Sequence, residues 1–322
     1  MFKTIRALII GFAIAAVFSA VSAGAVEETE EDGKLLLKLQ AEKGDVYEYN
    51  VRAELTYETR QGTRDELIRK IEDVLDMEYS QTCKVVEPDG TMGFEASYGD
   101  YKLVRTITEG ENNRKEVYTV EGLTVYDEKG LSLKRKWSEM PRSEQAEVRK
   151  VFAREYGFAA NPNCEIKELF ECKIIEHELP GFHALRLQQA VYYPKFRIEE
   201  GTVWSWNKPI EVPKLRGHPL SGKEIPAERE YEFIGFREVG GKECVTISME
   251  GKLEFENVDE KVSFTRKLVE KAHIEKASGM AVLVEGTLES ELPSADSGAN
   301  MKTSVEGTFT ISRTSQETSE TE

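Results

Sequence analysis

Val46-Tyr47-Glu48-Tyr49-Asn50-Val51-Arg52-Ala53-Glu54 alternates without a break. Tyr47, Tyr49, Val51 and Ala53 fall on one side of an extended chain, and Glu48, Asn50, Arg52 and Glu54 on the other. A period of two with one polar side marks a strand that buries one face and wets the other. The pattern runs on to Thr59, and Leu35, Leu37 and Leu39 precede it in the same rhythm. It returns late in the chain. Val262, Phe264, Leu268, Ala272 and Ile274 share one side, interrupted by Arg266 and Glu270, and Val305, Gly307, Phe309 and Ile311 repeat it. Reversals are marked by Glu87-Pro88-Asp89-Gly90, by residues 111–114 and 127–130, and by Gly240-Gly241. A long meander must curl or close to hide its edges. The expected fold is therefore mainly β (α+β), with long antiparallel meanders forming one or two curved, half-barrel-like sheets.

Two stretches depart from this pattern. Leu67, Ile68, Ile71, Val74 and Leu75 fit helical spacing, while Leu75, Met77, Tyr79, Gln81, Cys83 and Val85 fit a strand. The turn at Pro88 favours strand from Ile71 onward. Residues 142–156 are expected to form a covering helix, because Val148, Val151, Phe152 and Tyr156 share one helical face and Gly157 provides a stop. The organisation read from the chain is a signal peptide at 1–25, an acidic disordered leader at 26–33 and a first β region at 34–135. A helix and Pro-rich connecting region follows at 136–219, then a second β region at 220–312 and a disordered tail at 313–322.

The signal peptide rests on Lys3 and Arg6, an apolar run from Ala7 to Val21 and the exit Ala23-Gly24-Ala25. The run is short for a bilayer span, so export to the periplasm or the medium is expected, with no transmembrane segment after cleavage. Loss of Lys3 and Arg6 would take the formal net charge from −16 to −18. That surplus of acid disfavours nucleic acid and anionic lipid surfaces as partners.

An oxidising compartment permits disulfides among Cys83, Cys164, Cys172 and Cys244. Cys164 and Cys172 are the favoured pair, being close in sequence; Cys83 and Cys244 could bond or stay as buried thiols. Cys164, Cys172, His177 and His183 also make a chemically competent zinc set. The seven-residue gap between the cysteines is wide for that chemistry. His177-Glu178 lacks the second histidine one turn on, and Pro180 would break the helix a zinc protease needs. No Gly-x-Ser-x-Gly elbow, phosphate-cradling loop or Cys-x-x-Cys pair occurs. No catalytic residue or cofactor is assigned, and the chain is expected not to be an enzyme.

The most distinctive string runs from Tyr192 to Trp206. In one reading Tyr192, Tyr193, Phe196, Trp204 and Trp206 form an aromatic platform for a sugar or apolar ligand. In the other, Glu200-Gly201 turns the chain into a strand on which Trp204 and Trp206 share a face and anchor the core, with Lys208 stacking on Trp206. Pro194-Lys195-Phe196, Ile198, Gly201 and Trp204, followed later by Gly240-Gly241 and Cys244-Val245-Thr246-Ile247, resemble an uncharacterised group of secreted bacterial β-rich proteins. Thr202 stands where that group has Asp, and its motifs are structural turns. The resemblance implies a β-rich fold and export, and no residue role. In architecture the chain also resembles periplasmic carriers built as half-barrels with a helical lid. Three functions are open: an exported protein binding an apolar ligand or a cell-envelope partner, a structural or protein-interaction module without a small ligand, and a metal-dependent hydrolase.

Overall fold

A computed structural model describes residues 25–28, 34–62, 65–139, 155–170, 191–211, 224–257, 262–292 and 301–314. Residues 1–24 of the expected signal segment, the bulk of the expected helix and, in the Pro-rich region, residues 171–190 and 212–219 lie outside these residues. In chain order the strands are β1 (Ala25–Glu28), β2 (Leu35–Lys38), β3 (Val46–Gln61), β4 (Glu66–Val86), β5 (Met92–Glu109), β6 (Asn112–Thr119), β7 (Gly122–Asp127) and β8 (Gly130–Lys136). They continue with β9 (Glu155–Ala160), β10 (Ile166–Phe170), β11 (Val203–Asn207), β12 (Ile210–Glu211), β13 (Glu224–Ile225), β14 (Ala227–Val239), β15 (Lys242–Asn257), β16 (Val262–Glu275), β17 (Ala281–Leu292) and β18 (Met301–Arg313). The one described helical turn is 3-10, at Trp137–Glu139.

The protein is mainly β. Fourteen strands join one antiparallel sheet in the order β11-β14-β15-β16-β17-β18-β3-β4-β5-β6-β7-β8, with β9 and β10 branching from β5. The two β regions are thus halves of a single sheet, joined where β18 pairs with β3. The reason is the edge problem: separate meanders would each leave a long strand unpaired. At β5 the sheet forks. Residues 102–109 carry β6, and residues 92–97 carry β9. Glu155 and Tyr156, the expected last turn of the helix, are strand and pair with Ser97 and Ala96. The first half of β5 needs a partner there, and a strand supplies it. The ambiguous 65–79 stretch is strand from Glu66. Across the boundary between the expected signal peptide and the leader expected to be disordered, Ala25–Glu28 forms a strand that pairs with Leu35–Lys38.

Alternation sets which side is buried. On β3, Tyr47, Tyr49, Val51, Ala53, Leu55 and Tyr57 are all buried. Register carries that face across the sheet in rows. One row reads Trp204, Tyr231, Met249, Glu270, Gly286, Phe309, Ala53, Leu75, Leu103, Tyr118 and Leu123 from β11 to β7. Two residues, Gly240 and Gly241, link β14 to β15 with φ of 57° and 76°. Positive φ at both central positions suits the right-handed twist of a hairpin, and glycine adopts it without a Cβ penalty.

Other segments seal the apolar face. Leu35, Leu37 and Leu39 are buried with the core although β2 stands outside the main sheet. Leu35 exchanges backbone hydrogen bonds with Ile198 at 2.8 and 2.7 Å, and the Leu39 N–H donates to the Pro162 carbonyl at 2.7 Å. This strap therefore ties the chain beside β11 to the chain beside β9. Residues 191–194 are buried without alternation, as a segment covered on both sides must be.

Glycines mark where the sheet packs most closely. A Cβ on Gly286 would sit 2.3 Å from the Phe309 ring, and one on Gly307 would sit 2.2 Å from the Glu54 carbonyl oxygen. Gly307→Ala is expected to cost about 1–3 kcal/mol through overpacking. Urea unfolding of the variant beside the parent checks this, and an unchanged midpoint would refute the close packing at β18.

Candidate functional site

The string singled out in the sequence crosses the β11 margin of the sheet. Gly201 has φ +83° and turns the chain into β11. Val203 then faces solvent while Trp204 is buried on β14. The Trp204 indole stacks on Tyr231 at 5.5 Å, and its N–H donates to the Tyr192 carbonyl at 2.7 Å. Tyr192 stacks on Trp206 at 4.4 Å and 11°. The Arg229 guanidinium lies 4.7 Å from the Trp206 ring centroid and 5.5 Å from that of Tyr192. Lys208 approaches the Trp206 ring at 5.8 Å and forms an ion pair with Glu165. Tyr193 is buried and donates its hydroxyl to the Gly279 carbonyl at 3.2 Å.

Four of the five platform aromatics therefore spend their ring surfaces on neighbours within the chain. Phe196 stands apart at 53 % exposure. Burial pushes the Tyr192 phenol up to about 12, against the opposing pull of Arg229. The arrangement is a cation-capped aromatic anchor that fastens residues 191–194 to β11 and β14. Arg229, which completes it, was not distinguishable in the sequence from other cations in alternating strands.

A second group of functional residue types lies on the apolar face. Asp73 and Arg105 oppose each other on β4 and β5 and form a bidentate pair at 2.7 and 2.6 Å, both buried. Glu116 is the next residue along the row; it accepts the Tyr118 hydroxyl at 2.5 Å and pairs with Arg114. Arg266, Glu270 and Arg229 are buried on β16 and β14. The two apparent exceptions in the β16 pattern thus keep to the alternation and point inward. Burial pushes the Tyr57 phenol well up, while the charges of Arg105 and Arg266 pull it down. On the opposite face of the sheet, Thr246 Oγ1 and His273 Nδ1 meet at 3.0 Å, with the histidine only 1 % exposed. This pair combines a hydroxyl with a base but offers a substrate no approach.

Of the sulfur and imidazole set, only Cys164 is described; Cys172, His177 and His183 lie outside the described residues. Cys164 is buried with φ 64°. No disulfide joins Cys83, Cys164 and Cys244 to one another. Cys83 and Cys244 are buried thiols, and burial pushes both up, Cys244 to about 11. Among the described residues no group of three His, Cys, Asp or Glu is placed to hold a metal ion. No described helix is long and apolar enough to cross a membrane.

Two open concavities are described, and both mix charged residues with apolar surface. One, of about 730 Å³, is lined by residues that include Glu230, Glu250, Lys252, Lys267, Glu289 and Glu306. The other, of about 780 Å³, is lined by residues that include Arg52, Asp76, Glu78, Asp100, Lys102 and Glu121.

No protein family matches this sequence, and comparison with curated proteins finds no match. Similar structures include lipovitellin, from a study of its lipid–protein interactions, at 7 % identity and a TM-score of 0.45, covering 85 % of this chain and 25 % of that one. This chain spans about a quarter of the lipovitellin chain's length. DynF of the dynemicin biosynthesis pathway of Micromonospora chersina is 6 % identical, with a TM-score of 0.22 and 90 % coverage of each chain. The translocator domain of the autotransporter NalP from Neisseria meningitidis is 8 % identical, with a TM-score of 0.23, covering 85 % of this chain and 90 % of that one.

Two predictions follow from the buried charges. Arg105→Met strands the Asp73 carboxylate in the core and is expected to cost about 3–5 kcal/mol, whereas Asp73→Leu with Arg105→Met recovers most of it. Chemical denaturation of the parent, both single variants and the pair measures the coupling; equal losses in the single and double variants would contradict it. The second concerns pH. Burial and the nearby Arg237 charge lower His273 from its ordinary 6.5. The unfolded chain therefore takes up a proton first, and stability falls as pH drops below about 6.5. For Glu275, burial raises and the Lys242, Ser278 and Arg313 contacts lower, with a net fall below the ordinary 4.5. Its contribution is full above that value and is lost as pH falls through the lower folded one. His273→Gln should flatten the decline just below pH 6.5 and leave the one below pH 4.5. Thermal melts across pH 3–8 would disprove this if both limbs persist.

Proposed function

We propose that this chain is an exported, non-enzymatic binding scaffold that engages a cell-envelope partner through the outward side and edges of its sheet. One observation carries the reading. The apolar face is occupied by the chain's own leucines, tyrosines and tryptophans, so what the sheet offers to the outside is polar surface and unpaired strand edge. A carrier needs a concave apolar face that is lined but empty, and the described concavities are open and carry charged side chains among their apolar surface. The acidic balance of the chain suits a soluble scaffold. Catalysis has little support, because the hydroxyl–imidazole pair is buried and the aromatic string is consumed in packing.

An apolar ligand is the second reading. It is favoured by the slenderness of the cover: three backbone hydrogen bonds, two to Ile198 and one to Pro162, hold the β2 strap over the apolar face. A lipid chain could take the place of Leu35, Leu37 and Leu39. The two readings separate in one preparation. Cross-linking in the native host, followed by mass spectrometry of the purified full chain, should return cross-links from sheet-edge or outward residues to an envelope polypeptide. Titration of the same protein with a fluorescent fatty acid should give no saturable change in Trp204 or Trp206 emission. Stoichiometric lipid binding without polypeptide cross-links would replace the scaffold reading with the carrier reading; neither lipid nor cross-links would defeat both.

A further inference from the structure

We propose that β8 is the docking edge of this scaffold and that its occupant is an acidic, extended segment of a partner polypeptide, added as a further strand. The inference rests on the interaction reading above and names its site and chemistry.

β8 ends the sheet: β7 lies on one side of it, and no described strand lies on the other. An edge of this kind presents unpaired N–H and C=O groups, which an extended peptide can satisfy; at its end the Lys136 N–H is taken by the Glu139 carboxylate at 3.2 Å. Both of its faces are open, since every residue from Gly130 to Lys136 is exposed except the half-buried Leu133. Leu131 is 61 % exposed.

The charge on this edge is unlike that of the rest of the chain. Lys129, Lys134, Arg135 and Lys136 lie within eight residues that contain no acid, in a protein of net charge −16. Elsewhere on the sheet several exposed cations are matched: Arg52, Arg60, Lys70, Lys84 and Lys252 each meet a carboxylate at 2.7–2.8 Å. Among the described residues no carboxylate forms an ion pair with Lys129 or with the three cations of β8. The edge therefore carries uncompensated positive charge beside unpaired backbone.

Self-pairing is the wrong match. A second copy joined β8 to β8 would line the cations of both chains along one seam, and like charges facing each other across strands destabilise the pair. A strand alternating Glu with a β-branched residue meets both requirements, its carboxylates on the face that carries Lys134 and Lys136 and its apolar side chains on the face of Leu133 and the Arg135 stem.

The test uses the full-length protein and a fluorescent peptide of about eight residues, a long strand's worth, alternating Glu and Val. Fluorescence anisotropy should show binding that weakens as salt rises. Three controls define the site. A peptide with Lys in place of Glu should not bind. The same acidic peptide N-methylated at every residue keeps its charge but has no backbone N–H to donate to the edge, and should not bind either. The triple variant Lys134→Glu, Arg135→Glu, Lys136→Glu should bind about tenfold more weakly, with an unchanged thermal melt because these side chains are exposed. Hydrogen exchange should show protection of β8 amides on binding. Equal binding to the triple variant, equal binding of the N-methylated peptide, or no binding of the acidic peptide would overturn the proposal. Cross-links in the native host that map to other surfaces would sink this edge and leave the scaffold reading standing, whereas their complete absence would remove that reading itself.

Discussion

The pairing of β3 with β18 governs the rest of the molecule. All thirteen residues of β18 find partners on β3, from Gln61 to Tyr49. This seam turns two meanders, more than two hundred positions apart at their joined strands, into one sheet. It also transmits register. A slip of one residue would send Val305, Phe309 and Ile311 to the wet face. The long buried rows, such as the one from Trp204 to Leu123, pass through this seam, so correct pairing here aligns the strands on one side of it with those on the other.

A single sheet can bury one face only if something lies on it. Here the cover comes from segments with little regular structure of their own: the β2 strap and residues 191–194. Their anchoring is local and specific. Trp204, Tyr192, Trp206 and Arg229 form one stack, and the Leu35–Ile198 and Leu39–Pro162 contacts place the leucines. Asp73 and Arg105, both buried, are paired across adjacent strands. Such a pair adds little net stability compared with apolar residues of the same volume, but it penalises any register that separates its members.

The candidate surfaces were legible in the sequence to different degrees. The Tyr192–Trp206 string announced itself by composition, and both of its readings were available. What chose between them was the position of Tyr192 against Trp206 and of Arg229 beside both, which is set by strands β11 and β14 meeting in register. Lys208 beside Trp206 was foreseeable from spacing. The β8 cations were visible as residues but not as a site, because nothing in Leu131-Ser132-Leu133-Lys134-Arg135-Lys136 says that this strand is the last in the sheet. Arg266 and Glu270 looked like breaks in a pattern, and the structure shows them obeying it.

The sequence by itself determined the strands, their turns and the side of each that turns inward, because side-chain direction in an extended chain alternates with no help from distant residues. It thereby determined a mainly β protein. Only the tertiary structure decided that two β regions are one sheet, that a strand takes up Glu155 and Tyr156, and that Asp73, Arg105 and Arg229 lie inside. Those outcomes depend on which strands become neighbours. Neighbour choice is settled by burying edges and matching faces between segments far apart in the chain, and no local pattern records it.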